Sequence, residues 1–322
     1  MDDLVSVPTG GPFFSDKQDL LSTVQPFVAT VGFFDGVHVG HRHLIEQVKG
    51  EAQRRGLPSA VVTFPVHPRE VLQSDYRPLL LNEFDEKVSL LASTGVDYCI
   101  SLPFTEALSR LSAGDFMCRV LKRALWVDTL FVGYDHRFGR DRVEGYEEYA
   151  RHGKAMGMKV LLATRFPVDG EGNVSSSLIR SLLQSGNIKD ANRLLSYRYT
   201  LFGTIVEGNR VGRTIGFPTA NIQLREPNKV VPAKGVYAVR VRLKGDEVYM
   251  GMLYIGTRPT FHRESTVSVE VNLFNFDGDL YGQSLSVEFI DFVRGEVKFN
   301  SKEELVARLH RDKEIVMKML SQ

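Results

Sequence analysis

Residues 27–41 read Phe27-Val28-Ala29-Thr30-Val31-Gly32-Phe33-Phe34-Asp35-Gly36-Val37-His38-Val39-Gly40-His41, an apolar run followed by a glycine-rich loop. The apolar run, Phe27–Gly32, predicts a buried strand, and a helical pattern over His41–Arg55 follows the loop. Four apolar residues of that helix share one face, namely Leu44, Ile45, Val48 and Ala52. A strand that leads directly into a helix is the first half of a parallel β-α-β unit.

The same alternation continues through the first half of the chain. A second helix is predicted over Glu83–Thr94, and further strands are predicted at Ala60–Phe64, Tyr98–Leu102, Thr129–Val132 and Met158–Ala163. Strands separated by helices pair in parallel, with helices covering the sheet. The first half is therefore predicted to be an α/β domain with a doubly wound parallel sheet.

The second half of the chain has a period of two instead. Its predicted strands are Val236–Leu243, Tyr249–Ile255, Thr266–Phe276 and Ser284–Phe292. Lys244-Gly245 and Asp277-Gly278 are turn signals, and the second of these predicts a hairpin between the flanking strands. Closely spaced strands without intervening helices indicate a small antiparallel barrel. A terminal helix is predicted over Ser301–Leu320, opened by a capping box of Ser301 and Glu304.

The length of the chain, 322 residues, favours two domains. The change of period falls after short helices predicted at Ser176–Leu183 and Ile188–Ser196. We expect the domains to be residues 1–185 and 186–322.

The composition is that of an ordinary globular protein, with 43% hydrophobic and 25% charged residues and a net charge of +1. This charge balance gives no argument for nucleic acid or a membrane surface as a partner. The two cysteines, Cys99 and Cys118, lack metal-ligand spacing and are expected to be reduced thiols. The sequence shows neither a signal-peptide pattern nor an apolar run of membrane-spanning length, so we expect a cytoplasmic protein.

The loop after the first strand carries groups that suit an anion. Gly32, Gly36 and Gly40 allow a tight turn beside a ligand, and the following helix offers free N–H groups at its positive end. His38 and His41 add imidazoles at the same point. Anion binding is the preferred role for the two histidines, a structural role such as helix capping is second, and metal binding is third because no further ligand is evident nearby.

A second loop, Gly212-Arg213-Thr214-Ile215-Gly216-Phe217-Pro218-Thr219-Ala220-Asn221, places two oxygen-bearing side chains two residues apart. If the segment is extended, Thr219 and Asn221 lie on the same face. Hydroxyl and amide oxygens suit Mg²⁺ that is shared with substrate phosphates, so the loop predicts a site for Mg²⁺ and ATP. A turn followed by an ordinary polar edge strand fits the spacing equally well.

Phosphoryl transfer to an alcohol requires a proton acceptor, and Glu270 is a candidate. Valines and a leucine occupy one face of its predicted strand, while Glu270 shares the other face with Ser268 and Asn272. An exposed glutamate on the outside of a barrel is the alternative interpretation of this residue.

The second half resembles riboflavin kinases. Residues 212–221 are similar to the loop G-R-x-x-G-F-P-T-A-N of that family, and residues 269–282 to its segment V-E-x-H-I-F-D-F-x-x-D-L-Y-G. The resemblance implies that Thr219 and Asn221 hold ATP and its Mg²⁺, and that Glu270 is the base towards the riboflavin hydroxyl. It also implies a flavin contact at Arg294. The sequence departs from the family at Asn272, Asn275 and Gly295.

The first half resembles adenylyltransferases of the nucleotidyltransferase superfamily, in the branch that acts on FMN. Residues 32–41 are similar to G-x-F-D-G-x-H-x-G-H, residues 133–139 to G-x-D-F-R-F-G, and residues 174–180 to V-S-S-T-x-I-R. The resemblance implies that His38 and His41 contact the ATP phosphates. Residues 63–68 are also similar to T-F-x-P-H-P, with the proline and the variable residue exchanged at Pro65 and Val66. Further departures occur at Phe33, His136 and Ser177.

Together the two resemblances place the chain in the family of bifunctional riboflavin kinases/FMN adenylyltransferases. The implied nucleotide- and flavin-binding residues are Gly32, Phe33, Asp35, Gly36, Gly40, Asp135, Arg137, Ser175, Ser176, Ser177, Arg180, Gly212, Arg213, Gly216, Thr219, Asn221 and Arg294. The implied reactions are phosphorylation of riboflavin by ATP in the second half and adenylylation of FMN to FAD, with release of pyrophosphate, in the first. The alternatives are a riboflavin kinase with an inactive first half and a non-catalytic flavin carrier.

Overall fold

The computed structural model describes residues 26–321, apart from 74, 76, 135, 167–173, 208–211, 213–214, 245–246 and 259–265. The chain divides into two compact units, Met1–Ser176 and Ser177–Gln322. This division lies on the N-terminal side of residue 185.

The first unit is built on a five-stranded sheet in the order β3-β2-β1-β4-β5, and every neighbouring pair is parallel. The strands are β1 Phe27–Val31, β2 Ser59–Thr63, β3 Tyr98–Ser101, β4 Val127–Val132 and β5 Lys159–Leu162. Strand β1 is buried on both faces, since Ala29 and Val31 belong to one apolar cluster and Val28 to another. The predicted doubly wound parallel sheet is confirmed.

Helices connect these strands. They are α1 Val39–Arg55, α2 Pro68–Leu72, α3 Phe84–Ala92, α4 Glu106–Ser109, α5 Ala113–Asp115, a π-helix Phe116–Ala124 and α6 Tyr146–Met156. Helix α1 buries Ile45, Val48 and Ala52, as its apolar face predicts. The helix ends at Gly56, whose φ of 65° is left-handed and whose N–H bonds back to Ala52 and Gln53 carbonyls.

The second unit is a closed barrel in the order β10-β7-β6-β11-β8-β9, and all its pairs are antiparallel. Its strands are β6 Thr200–Val206, β7 Ala220–Leu224, β8 Gly235–Leu243, β9 Val248–Arg258, β10 Thr266–Leu273 and β11 Ser284–Arg294. Helices α7 Ser176–Gln184 and α8 Ile188–Leu195 precede the barrel, and α9 Lys302–Leu320 follows it. The predicted small antiparallel barrel with a terminal helix is confirmed.

The hairpin predicted at Asp277-Gly278 is wrong, because β10 and β11 are not neighbours in the barrel. Strand β10 pairs with β7 and β9, whereas β11 pairs with β6 and β8. The connecting segment bonds instead to β6, where the Gly282 N–H donates to the Ile205 carbonyl over 2.9 Å. Closure of the barrel therefore overrides the local turn signal.

The capping box predicted for the terminal helix is only half formed. The Ser301 hydroxyl accepts the Glu304 N–H over 3.1 Å, as in a capping box. The Glu304 carboxylate, however, accepts the N–H of Asn300 rather than that of Ser301. Along the helix, Val316 and Leu320 pack with barrel residues that include Val236 and Met252.

Two helical glycines of the first unit should respond oppositely to alanine. An added Cβ at Gly50 in α1 meets nothing within 4 Å, whereas at Gly153 in α6 it would lie 2.5 Å from the Met158 carbonyl oxygen. We expect Gly50→Ala to raise the free energy of unfolding by about 1 kcal/mol. We expect Gly153→Ala to lower it by about 2 kcal/mol.

Urea unfolding followed by the fluorescence of Trp126, the single tryptophan, measures both effects. A change of the same sign for both variants would contradict the packing described for α6.

Candidate functional site

The first candidate site is the loop 32–38 between β1 and α1, at the carboxyl end of the central strand. Ligands of open parallel α/β sheets bind at such strand ends. Gly36 has a φ of 86°, and the non-glycine residues Phe34 and Val37 also have positive φ values of 54° and 36°. Both apolar side chains are buried, so their packing offsets the backbone strain.

Of the glycines at positions 32, 36 and 40, only Gly36 has a backbone conformation that favours glycine. Gly32 and Gly40 instead leave room for rings: a Cβ at Gly32 would lie 3.0 Å from the Phe34 ring, and one at Gly40 would lie 3.2 Å from the His38 ring. These two glycines therefore fix where the aromatic side chains of the loop lie.

The two histidines stack on each other, with ring centroids 3.6 Å apart and planes 15° from parallel. His38 is only 4% exposed, and its Nδ1 accepts the His41 N–H over 3.3 Å as the N-cap of α1. An accepting Nδ1 leaves the proton of a neutral imidazole on Nε2. His38 therefore has the structural role considered from sequence, because its ring caps the N-terminus of α1.

His41 is held neutral. Burial is the main cause that lowers its pKa well below the usual value, and electrostatic interactions with His38, His136 and Lys87 act in the same direction. Its Nδ1 is buried and has no hydrogen-bond partner among the described residues. A buried polar atom without a partner calls for an explanation, and a bound ligand would provide one.

Asp35 and Ser176 fix the loop to its surroundings. The buried Asp35 carboxylate accepts the N–H groups of Leu81 and Asn82 over 2.9 and 3.3 Å. The Ser176 hydroxyl donates to the Asp35 carbonyl over 2.8 Å, so it fastens the loop rather than capping its own helix. Both residues were predicted to contact the nucleotide, and in the structure both make contacts that shape the loop.

The remaining residues predicted for this site are placed as follows. Arg137 Nη1 donates to the carbonyls of Val143 and Glu144 over 2.9 Å each, so one side of its guanidinium is anchored to a neighbouring loop. Ser175 is half-buried in the first unit, whereas the exposed Ser177 and the half-buried Arg180 belong to the second. Asp135 lies outside the described residues.

Sequence reasoning missed Lys87, which lies beside this loop. Its Nζ is 3.9 Å from the centroid of the Phe33 ring and donates to the Phe64 carbonyl over 2.7 Å. Its position in α3 gave no signal, because a lysine in an amphipathic helix is usually exposed.

The second candidate site is a row of three side chains across three barrel strands. In the register of the barrel, Glu270 of β10 faces Asn221 of β7 on one side and Tyr254 of β9 on the other. Directly opposed residues of antiparallel strands lie on the same face. The Thr219 hydroxyl, just before β7, lies 3.4 Å from the Glu270 carboxylate. The structure thus brings together the predicted base and both predicted metal ligands.

The loop before β7 needs glycine at two positions. A Cβ at Gly212 would overlap the carbonyl oxygen of Phe217, whose N–H donates to the Gly212 carbonyl over 2.9 Å. Gly216 has a φ of 80°, which favours glycine. Arg213, predicted to contact ATP, lies outside the described residues.

Asn272 supports this loop from β10. Its side chain is 6% exposed, and its Nδ2 donates to the Pro218 carbonyl over 2.7 Å, directly before Thr219. The departure from the family pattern at this position therefore has a structural function, which is to hold the turn that presents Thr219.

Arg294, predicted to contact flavin, forms a mostly buried ion pair. Its Nε and Nη2 lie 2.8 and 2.7 Å from the Asp312 carboxylate of α9, and its Nη1 donates to the Gly295 carbonyl. Asp312 is fully buried and also accepts Arg308 Nε over 2.9 Å. These contacts fix the end of β11 against α9, and sequence reasoning missed both Asp312 and Arg308.

The donor set of the second site fits Mg²⁺. The side chains of Thr219 and Asn221 contain neutral hard oxygens, and Asn221 is buried. Within the described part of the chain no three His, Cys, Asp or Glu residues form a metal-binding group. A magnesium ion with few protein ligands depends on substrate phosphates for the rest of its coordination.

Comparison with known proteins identifies the chemistry of both units. The FAD synthetase family model matches residues 21–178, and the riboflavin kinase family model matches residues 195–320. Bifunctional riboflavin kinase/FMN adenylyltransferase of Listeria monocytogenes is 36% identical over 288 residues, which are 89% of this chain and 90% of that protein. The protein of the same name from Escherichia coli K12 is 38% identical over 285 residues, 88% of this chain and 90% of that protein.

A solved structure agrees along nearly the whole chain. The crystal structure described as a macrolide-efflux protein from Streptococcus pneumoniae has a TM-score of 0.82 and 32% sequence identity, covering 94% of this chain and 97% of that one. Among the described residues of the present chain, no helix has the length and apolarity that crossing a membrane would require.

These matches define a two-domain transferase of phosphorus-containing groups. The chain belongs to the bifunctional riboflavin kinase/FMN adenylyltransferase family. It is an enzyme of flavin cofactor synthesis, with an FMN-adenylylating half followed by a riboflavin-phosphorylating half. The match of both family models favours the predicted bifunctional enzyme over the kinase-only alternative.

The lowered pKa of His41 predicts its titration. We expect the His41 ring to remain neutral at pH 7 and to become protonated only well below pH 6.5, measured by NMR of the histidine side chains. Because the unfolded chain takes up this proton first, stability of the first unit should fall as the pH drops below about 6.5. His41→Gln should remove that part of the loss, and a ring that titrates near pH 6.5 would contradict the buried environment described.

The support of Thr219 by Asn272 predicts a loss of riboflavin phosphorylation in Asn272→Asp. Aspartate has the same shape but places an acceptor against the Pro218 carbonyl oxygen, so the turn should shift. We expect kcat to fall roughly 10-fold or more, as small misplacements of a reacting group do. Asn275→Asp, the same change at an exposed turn position, is the control, and equal effects of the two would contradict the proposed support.

Proposed function

We propose that the Thr219, Asn221 and Glu270 cluster performs riboflavin phosphorylation and that the His38 and His41 loop performs FMN adenylylation. The single observation that carries the proposal is the register of β7 and β10, which opposes Asn221 and Glu270 and leaves the Thr219 hydroxyl 3.4 Å from the carboxylate. A proton acceptor beside hard oxygen ligands is the arrangement that phosphoryl transfer to an alcohol requires.

In the proposed kinase reaction, the terminal ribityl hydroxyl of riboflavin attacks the γ-phosphorus of ATP. Glu270 accepts the hydroxyl proton, the bond from the γ-phosphorus to the bridging oxygen breaks, and ADP leaves. Thr219 and Asn221 would hold Mg²⁺, which when bound neutralises the charge of the phosphates. We propose that Arg294, which is held by Asp312 at the end of β11, contacts the flavin.

The proposed adenylylation needs no strong base, because the phosphate of FMN is already an anion near pH 7. A phosphate oxygen of FMN attacks the α-phosphorus of ATP, and pyrophosphate leaves. The N-terminal end of α1 and the imidazoles of His38 and His41 would stabilise the developing negative charge. Asp35, Gly36 and Ser176 maintain the shape of the loop that presents these donors.

The finer assignments of the sequence analysis are part of the same proposal. We assign adenylylation to residues 1–185 and phosphorylation to residues 186–322, with riboflavin, FMN and ATP as substrates. We also propose that the enzyme acts in the cytoplasm, with neither nucleic acid nor a membrane as a partner.

Glu270→Gln tests the kinase site, because an amide of the same shape cannot accept the hydroxyl proton. We expect formation of FMN from riboflavin to fall about 100-fold or more, and formation of FAD from supplied FMN to stay unchanged. Glu288→Gln is the matched control, since Glu288 is a half-buried glutamate on β11 that pairs with Arg198. If the two glutamine variants behave alike, the role of Glu270 is refuted.

His38→Asn and His41→Gln test the adenylylation site in the reciprocal way. Asparagine retains an acceptor for the N-cap of α1 but lacks the imidazole. Both variants should lose FAD formation about 100-fold, with release of pyrophosphate as the readout, while phosphorylation of riboflavin continues. Undiminished pyrophosphate release in both variants would exclude the histidines from the reaction.

A further inference from the structure

A buried lysine connects two loops of the adenylylation site. Lys87 of α3 is 2% exposed. Its Nζ donates to the carbonyl of Phe64, directly after β2, and lies over the ring of Phe33 in the loop that follows β1. The Phe33 ring in turn contacts the ring of His67 edge-on at 4.8 Å. One ammonium thus holds together the loops that follow two adjacent parallel strands.

Burial of a charged ammonium is costly unless its surroundings compensate. The groups facing Lys87 are the Asp35 carboxylate of the first loop, the Cys99 thiol of β3 and the His41 ring of α1. Burial raises the pKa of Cys99 to about 11, so this thiol is neutral and cannot compensate. Asp35 is the compensating anion, and its carboxylate already accepts two backbone N–H groups.

A buried lysine contributes less to the stability of a core than an apolar residue does. One hydrogen bond to a carbonyl and contacts with the rings of Phe33 and Phe84 accompany the desolvation of a full charge. An apolar residue of similar length would fill the same volume. The position of Lys87 behind the loop of His38 and His41 gives its charge another use. Substrates of that loop carry several phosphates, and fixed positive charge at low dielectric acts strongly on them.

We propose that Lys87 is a positioning residue for adenylyl transfer: its buried ammonium joins the loops after β1 and β2 and provides fixed positive charge behind the phosphate-binding loop. The proposal rests on the proposed role of that loop, and it adds a residue that makes no contact with the substrates. It acts through the Phe33 ring and the Phe64 carbonyl, which its removal would release.

The charge of Lys87 gives the proposal a pH signature. Burial lowers the pKa of Lys87 to about 8, so the ammonium is present at pH 7 and is lost as the pH rises through 8. FAD formation by the unaltered enzyme should therefore decline on the alkaline side around pH 8. Phosphorylation of riboflavin by the same molecules should show no decline at that point.

The first experiment compares both activities in Lys87→Met, which keeps the length of the side chain but removes its charge. We expect kcat for FAD formation from FMN and Mg-ATP to fall at least 10-fold, and phosphorylation of riboflavin to stay within twofold of the unaltered enzyme. Leu91→Met, a volume-conserving change at a buried position of the same helix, controls for core perturbation and should affect neither activity. Equal effects of the two methionine variants, or an unaffected FAD formation in Lys87→Met, would overturn the proposal.

The second experiment measures the pH profile of FAD formation between pH 6.5 and 9.5 for the unaltered enzyme, Lys87→Met and Lys87→Arg. The decline around pH 8 should be absent in Lys87→Met and displaced to higher pH in Lys87→Arg, whose charge persists. A merely structural lysine would lower activity in the variants without moving the profile. If neither variant folds, the unaltered enzyme decides, because a flat profile through pH 8 refutes the proposal.

The Lys87 variants and the histidine variants test different claims, so their results can be told apart. Retained pyrophosphate release in His38→Asn and His41→Gln would refute the role of the loop itself. Retained activity in Lys87→Met, with activity lost in the histidine variants, would refute only the role of Lys87.

Discussion

The antiparallel pairing of β7 with β10 is the constraint on which the kinase half depends. Backbone hydrogen bonds in one register oppose Asn221 to Glu270, and pairing of β10 with β9 adds Tyr254 to the same row. Because side chains alternate along a strand, a slip of one residue would turn Glu270 to the other face and away from Asn221. The buried Val269 and Val271 on the opposite face prevent that slip, so the apolar core fixes the position of the carboxylate that we propose as the base.

In the adenylylating half, the backbone of the proposed site is fixed by other contacts than strand pairing. Its reactive loop is irregular, and it is held by packing rather than by a ladder of backbone hydrogen bonds. Left-handed residues at Phe34, Gly36 and Val37, room left by Gly32 and Gly40, and the two N–H groups on Asp35 together define its path. Several residues that sequence motifs connect with the nucleotide therefore shape the loop, and we propose that they act on the nucleotide in this indirect way.

Sequence periodicity was sufficient for the architecture and for part of the sites. Alternation in twos and the β-α order predicted both folds, and the spacing of Thr219 and Asn221 predicted one ligand face. Periodicity failed where contacts are distant in sequence: the Asp277-Gly278 turn does not join neighbouring strands, since closure of the barrel decides the pairing. Lys87 and Asp312 were not predicted for the same reason. The burial of a charged residue in a helix depends on partners from distant segments, which the sequence pattern does not reveal.

The ion pair of Arg294 with Asp312 has a consequence for the order in which the chain folds during synthesis. Every strand of the parallel sheet lies within residues 27–162, so all of them are synthesised before the first barrel strand. The barrel, by contrast, leaves the guanidinium at the end of β11 without its counter-ion until α9 has emerged. Domains generally fold as units from the N-terminal side, so the kinase half is the last to mature. Until α9 has been made, the apolar barrel residues that it covers, such as Val236 and Met252, are open to chaperones.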